Sequence, residues 1–286
     1  MRRIAIAALA AATIASAAPA RSETCPGNPD ALGVSRTVEI DTEGGPGFGL
    51  AQYKAHDFLE PGEIVLTFDD GPWPNTTPAV LKALSEHCTK ATFFIVGEHA
   101  LWHPEILKRV AADGHTIGTH TWSHANLAKK KMLGEAGVTE IEKGISAVRA
   151  ALGAPPAPFF RFPFLQGPKE TIAYLGERNI AIFSMDLDSF DFKHRKAEAV
   201  VKSVMGKLEK QGKGIILMHD LQKATAEAMP KLLRELKEKG YRVVHLTAKE
   251  PVATLPQFDT EMADQLAGPM GKGRPTSSIV RTISGN

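Results

Sequence analysis

An α/β fold built on a parallel barrel of strand–helix units accounts for three features of this 286-residue chain. Short apolar runs recur across residues 62–250, helical patterns separate them, and polar clusters stand where the runs end. Seven such runs around a continuous apolar interior favour a barrel; an open doubly wound sheet is the alternative.

The chain starts Met1-Arg2-Arg3, runs apolar from Ile4 to Ala18, and reaches the small-residue stretch Ala17-Ala18-Pro19-Ala20. This predicts a Sec-type signal peptide over residues 1–20, and with it a secreted or periplasmic protein. The arginine pair also fits twin-arginine export, but an ordinary basic leader explains it more simply. The run is short for a bilayer, and no later stretch approaches ~18 uninterrupted apolar residues, so no membrane span is expected.

Residues 21–61 are rich in Gly, Pro and Asp, as in Gly44-Gly45-Pro46-Gly47, and predict an N-terminal arm with little helix. Within it, the alternation of Val34, Arg36, Val38 and Ile40 suits an edge strand. Strands then follow at Ile64 to Phe68, Ala91 to Val96, Thr116 to Gly118, Phe159 to Arg161, Ala181 to Ser184, Gly214 to Met218 and Tyr241 to His245. Helical patterns lie between them. The first has Thr77 as N-cap, Pro78 in the first turn, and Leu81 and Leu84 on one face. Ile106, Leu107 and Val110 end at Gly114; Ile141, Ile145, Val148 and Leu152 end at Gly153. Val200, Val204 and Leu208 mark the next, and Leu232, Leu233 and Leu236 end at Gly240. Residues 62–250 are thus expected as a single catalytic domain. Residues 251–286 lose the periodicity and resemble a C-terminal extension, flexible over its last 20 residues.

Cys25 and Cys88 are the only cysteines. In an oxidising compartment they would form a disulfide tying the arm to the core, worth about 4 kcal/mol in the chain-entropy picture; two isolated thiols are the alternative. Lys plus Arg (34) nearly balances Asp plus Glu (32), which excludes the electrostatic footprint of a nucleic-acid binder. A neutral substrate and a monomer are expected.

Five clusters carry chemistry. Thr67-Phe68-Asp69-Asp70-Gly71-Pro72 puts two carboxylates at a strand end, although Asp-Gly-Pro also punctuates ordinary turns. Adjacent side chains on extended chain point opposite ways, so Asp69 and Asp70 are expected to differ in role and not to face each other as a glycosidase pair. His120-Thr121-Trp122-Ser123-His124 sets two imidazoles at i, i+4, on one face if the turn is helical. Two surface histidines would give the same pattern, but an Asp at another strand end would complete a two-His, one-carboxylate site. Arg161-Phe162-Pro163-Phe164 buries a charge that needs a partner, if only as a capping ion pair. Asp186-Leu187-Asp188-Ser189-Phe190-Asp191-Phe192 sets three acids among large apolar residues. Last, the strand through Ile215, Ile216, Leu217 and Met218 ends on His219-Asp220. A core histidine is the ordinary reading there; its strand-end position favours catalysis.

In this order the five clusters resemble the motifs of the polysaccharide deacetylase family, carbohydrate esterase family 4, which includes chitooligosaccharide and peptidoglycan deacetylases. The resemblance extends over Glu63 to Leu246 and includes Ala91-Thr92-Phe93-Phe94 and Gly114-His115-Thr116-Ile117-Gly118. It implies a distorted (β/α)7 TIM-like barrel, and a divalent metal, zinc in most members, on Asp70, His120 and His124. It makes Asp69 the general base steadied by Arg161, and His219 the general acid paired with Asp191. Phe164, Phe192 and Leu217 become substrate-binding residues, with acetylated amino-sugar polymer or oligomer as substrate. Phe164 stands where the family has Tyr, but a backbone N–H for the oxyanion remains. Phe192 stands for Trp in the groove wall, which alters the apolar surface beside the acetyl methyl. Trp73, Trp102 and Trp122 lie near motif loops and are candidates for sugar stacking or for the core.

Two other functions fit the fold. A small-molecule amide or imide hydrolase would be a divergent member, yet such members lose part of the metal set, which is complete here. A non-catalytic sugar-binding protein would lack the base or the acid, and both are present. No G-x-S-x-G elbow supports a serine hydrolase.

Overall fold

The structure, a computed structural model, describes residues 25–268. The expected signal peptide and the end of the tail lie outside the described residues. The elements are, in order, β1 (Arg36–Ile40), β2 (Gly47–Phe48), β3 (Glu63–Asp69), α1 (Thr76–Glu86), β4 (Thr92–Ile95), α2 (Gly97–Trp102), α3 (Pro104–Ala112), β5 (Thr116–Thr119), α4 (Glu135–Leu152), β6 (Phe159–Phe160), α5 (Lys169–Glu177), β7 (Ala181–Phe183), β8 (Leu187–Asp188), α6 (Ala197–Gln211), β9 (Gly214–His219), α7 (Lys223–Glu238), β10 (Arg242–Ala248) and α8 (Pro256–Ala267).

All strand pairs are parallel. Seven strands follow one another by hydrogen bonds in the order β8-β9-β3-β4-β5-β6-β7, and among the described residues no ladder joins β7 to β8. The sheet is therefore curved over seven parallel staves but not closed. The arm explains the seam: β2 pairs with the free edge of β7, Gly47 opposite Ile182 and Phe48 opposite Phe183.

The number of staves is as expected; one member differs. The expected seventh strand exists as β10, but it meets β3 only at Arg242 and Val243 and otherwise pairs with β1. The place in the wall belongs to β8, two residues long, too short to leave a periodic signal. The edge strand expected in the arm is present as β1.

The central strand shows why these residues form a wall. All seven residues of β3 are buried, as a strand covered on both faces requires. Ile64, Leu66 and Phe68 pack outward against the helices, while Val65 joins Phe94, Phe159, Phe183 and Ile215 inside the barrel. The period of two carries Thr67 and Asp69 to the same inner face as Val65. In β9 it carries Leu217 and His219 inward with Ile215.

Two local expectations change. Thr77 is not the N-cap of α1: Asn75 holds that position at φ 67°, and the Thr77 hydroxyl bonds Asp220 and the Trp73 N–H. The expected loss of structure after Pro251 is interrupted by α8, whose Met262 is buried and whose Glu261 pairs with Lys143 of α4. Cys25 and Cys88 form a disulfide, joining the arm to the end of α1.

Candidate active site

The inner face of β3 ends on Asp69, whose Cα neighbours are Phe94 in β4 and His219 in β9. Asp69 is 2% exposed, and its Oδ1 accepts a hydrogen bond from Nη1 of Arg161 at 2.6 Å. Arg161 is wholly buried just beyond β6. Its guanidinium also donates to Thr67 Oγ1 (2.8 Å) and to the carbonyls of Phe183 (3.2 Å) and Ser184 (2.8 Å). The Phe94 ring lies 4.2 Å below it. Burial pulls its pKa down from the ordinary value, against Asp69, but a guanidinium with this many acceptors stays charged.

Beyond Asp69 the strand breaks. Asp70 has φ 73°, so the alternation expected of two adjacent carboxylates does not continue, and both reach one cavity. The turn is held where the His99 ring donates to the Asp70 carbonyl at 2.6 Å.

The two histidines meet Asp70 there, though not by a helical turn. His120 and His124 follow β5 in a loop in which Thr121 (φ 65°) and His124 (φ 55°) are left-handed, and the imidazole centroids lie 5.1 Å apart. Helix α4 clamps this loop: Glu140 accepts from Ser123 N and Oγ, both at 2.9 Å, and its carbonyl accepts from Trp122 N at 2.8 Å. His120 Nδ1 donates to the Arg161 carbonyl at 2.6 Å, leaving the Nε2 lone pair facing the cavity. Burial holds His120 below the ordinary imidazole range despite Asp69 and Asp70.

Asp70 Oδ1 is buried without a hydrogen-bond partner, 3.5 Å from His120 Nε2 and 3.3 Å from His124 Nε2. The three ligand atoms lie within 4.8 Å of one another. A carboxylate oxygen and two imidazole nitrogens converging in this way fit a divalent cation.

Behind His219 of the neighbouring strand β9, Asp191 is fully buried and accepts four hydrogen bonds. Oδ1 takes His219 Nδ1 (2.7 Å) and Phe192 N (2.9 Å); Oδ2 takes His219 N (2.7 Å) and Thr225 Oγ1 (2.6 Å). Burial works against the His219 imidazolium, and the hydrogen bond and charge of Asp191 outweigh it, raising the group to about 9. Burial likewise opposes ionisation of Asp191, but its bonds with His219 hold it below the usual carboxylate range.

Asp69, Asp70, His120, His124, Phe164, Leu217, Phe192 and His219 all line one cavity of about 400 Å³. Arg161 and Asp191 stand behind it. Phe164 and Phe192 form exposed lips, with ring centroids 4.9 Å from His124 and 5.8 Å from His219 respectively. Phe162, Leu165, Asp188 and Gln222 also line the cavity; the first and third belong to clusters named above without a role of their own, and only fold proximity selects Leu165 and Gln222. Asp186 bonds Leu50 N and Ile215 N across the seam. Of the tryptophans, Trp122 packs on the core, Trp73 is half-exposed edge-on to His99 and His103, and none lines the cavity.

A family model described as polysaccharide deacetylase matches residues 59–182. A Bacillus cereus peptidoglycan-N-acetylglucosamine deacetylase is 34% identical over 206 residues, 70% of this chain and 73% of that protein. The Listeria monocytogenes peptidoglycan-N-acetylglucosamine deacetylase PgdA is 35% identical over 63% of this chain, which spans only 37% of that longer protein. The solved structure of a Bdellovibrio bacteriovorus peptidoglycan deacetylase superposes with TM-score 0.67 at 38% identity, covering 76% of this chain and 59% of that one. No helix among the described residues is long and apolar enough to cross a membrane. Motif order, parallel staves and a triad at their ends that could hold a metal ion agree with these matches: the chain belongs to the polysaccharide deacetylase family of metal-dependent hydrolytic enzymes.

Proposed function

We propose that this protein removes N-acetyl groups from N-acetylglucosamine-containing polysaccharide or oligosaccharide, of peptidoglycan or chitooligosaccharide type, releasing acetate. One observation carries the reading: an Arg-held carboxylate, an Asp-held imidazolium on the neighbouring strand and a two-His, one-Asp triad share a single cavity. Asp70, His120 and His124 hold a divalent cation, zinc in this reading, which supplies Lewis acidity toward the acetamide carbonyl and toward water.

The side chains do the rest. Asp69, its Oδ1 occupied by Arg161, keeps Oδ2 to take a proton from the attacking water. The Phe164 backbone N–H is the donor assigned to the developing oxyanion, a contribution worth about 3 kcal/mol in other oxyanion holes. His219, with Nδ1 committed to Asp191, carries its transferable proton on Nε2 and delivers it to the departing amine. Phe192 and Leu217 bound the space for the acetyl methyl.

In the same reading residues 1–20 are a signal peptide that directs the protein outside the cytoplasm. Residues 62–250 are the catalytic domain of a monomer, flanked by an arm (21–61) and a C-terminal extension (251–286).

Acetate release from peptidoglycan, chitooligosaccharides and acetylated xylan tests the activity. EDTA should abolish it, and zinc or cobalt should restore it. Asp69→Asn should bind the metal with near-native affinity yet lose about 10²- to 10⁴-fold in kcat. A near-native rate for Asp69→Asn would remove Asp69 as base, and activity in metal-free protein would end the metal mechanism.

A further inference from the structure

Overall charge balance suggests a neutral substrate, but the charge is not evenly spread. Two basic runs stand on loops that leave the catalytic motifs. Lys129-Lys130-Lys131 follows the His120–His124 loop, and Lys193-His194-Arg195-Lys196 follows Asp191-Phe192. All six of their lysines and arginines are exposed. None forms an ion pair with a described carboxylate, although eighteen such pairs occur elsewhere among the described residues. One exposed glutamate near each run, Glu135 and Glu198, offsets it only in part.

Their placement ties them to the cleft. The first run leaves the lip on which Phe164 meets His124, where Asn126 is hydrogen-bonded to Gln166 at 2.8 Å. The second leaves the opposite lip: Lys193 Nζ lies 5.4 Å from the ring centroid of Phe192, which lines the cavity. Lys193 also shares the Phe190 ring with Lys207, at 4.3 and 4.1 Å, which brings two ammonium groups close together. The cleft floor is acidic, with Asp69, Asp70 and Asp188. Cations on the segments that leave both lips, above an acidic floor, suit a chain that carries negative charge along its length and presents a neutral acetamide to the floor.

Resting on the deacetylase reading above, we propose that the two basic runs select a carboxylate-bearing acetylated amino-sugar polymer over a neutral one. Lys193, Arg195 and Lys196 on one rim and Lys129 to Lys131 on the other attract carboxylates flanking the acetylated residue, raising capture of the polymer without touching the reacting atoms.

The test compares wild type with K129E/K130E/K131E and K193E/R195E/K196E. Substrates are soluble peptidoglycan glycan strands, the same strands with their carboxyls amidated, and neutral chitooligosaccharide. On the native strands each variant should lose about tenfold in kcat/KM at low salt, with the gap closing near 0.5 M NaCl as screening shortens the reach of charge. On amidated strands and chitooligosaccharide each should stay within about twofold of wild type, which also reports intact folding. Equal losses on charged and neutral substrates, or no loss on the native strands, overturn the proposal while leaving the deacetylase reading intact. Wild type that releases no acetate from any of the three overturns both.

Discussion

Asp69 and Asp191 are both buried carboxylates on one cavity, and their partners separate their roles. Asp69 is held through one oxygen by a guanidinium that cannot give up a proton, while Asp191 holds an imidazole that can. The pH profile follows from the second pair. His219 is raised to about 9, so it stays protonated through neutral pH, and the alkaline limb of kcat should fall near pH 9. In Asp191→Asn that limb should move down toward the ordinary histidine range, with lower kcat at pH 8; an unmoved limb would mean that another group is the acid. The sign for stability is the same. A raised histidine contributes fully below its unfolded value of about 6.5 and loses that contribution as pH rises through about 9. Asp191 is depressed, so its share is present above the ordinary carboxylate value and is lost as pH falls through its lowered one. The residue types and their order single out these groups in the sequence as candidates. The four bonds on Asp191, including those from Thr225 and the His219 N–H, join segments distant in the chain and leave no mark in it.

Segments position these groups more than propensity suggests. The spacing of His120 and His124 signals metal ligation, but the expected helical turn is instead a loop with two left-handed residues. Helix α4 makes that conformation possible: a Cβ built on Gly144 would lie 2.6 Å from the carbonyl carbon of Thr121. Ala for Gly inside a helix normally stabilises by about 1 kcal/mol. Here Gly144→Ala should do the reverse, lowering Tm and weakening metal binding about tenfold or more by displacing the loop. Titration calorimetry with zinc checks this; a more stable variant with native affinity would show that the close packing does not set the ligand geometry. Strand ends follow a simpler rule. Because Val65, Thr67 and Asp69 share one face, and Ile215, Leu217 and His219 another, the inner surface of the site was readable from period two alone.

Across the full fold, the arm is structural. It supplies β2 to the seam, bonds Glu63 through a bidentate Arg36 (2.8 and 2.7 Å), and is tied down by Cys25–Cys88 across 63 residues of chain. Closing a loop of that length removes about 4 kcal/mol of unfolded-state entropy in the simplest picture. C25S/C88S should therefore melt about 8–16 °C lower while keeping metal affinity, since the bridge lies at the end of α1 away from the triad. Loss of metal affinity at temperatures where the variant stays folded would show that the arm reaches the site.

Apolar period, glycine stops and strand-end polar clusters by themselves determined the parallel α/β architecture, the inner faces of the staves and most of the polar residues that meet at one cavity. Those signals are local, written within a few residues of one another. Tertiary structure alone decided which strand completes the wall, that the sheet stays open at β2, that Asp69 and Asp70 share a cavity, and that α8 forms. Each of these depends on contact between segments far apart in sequence: an edge taken by the arm, a left-handed residue held by a distant histidine, a helix with a partner to pack on. Ligand identity is local chemistry, whereas ligand geometry is set by whatever the fold presses against it.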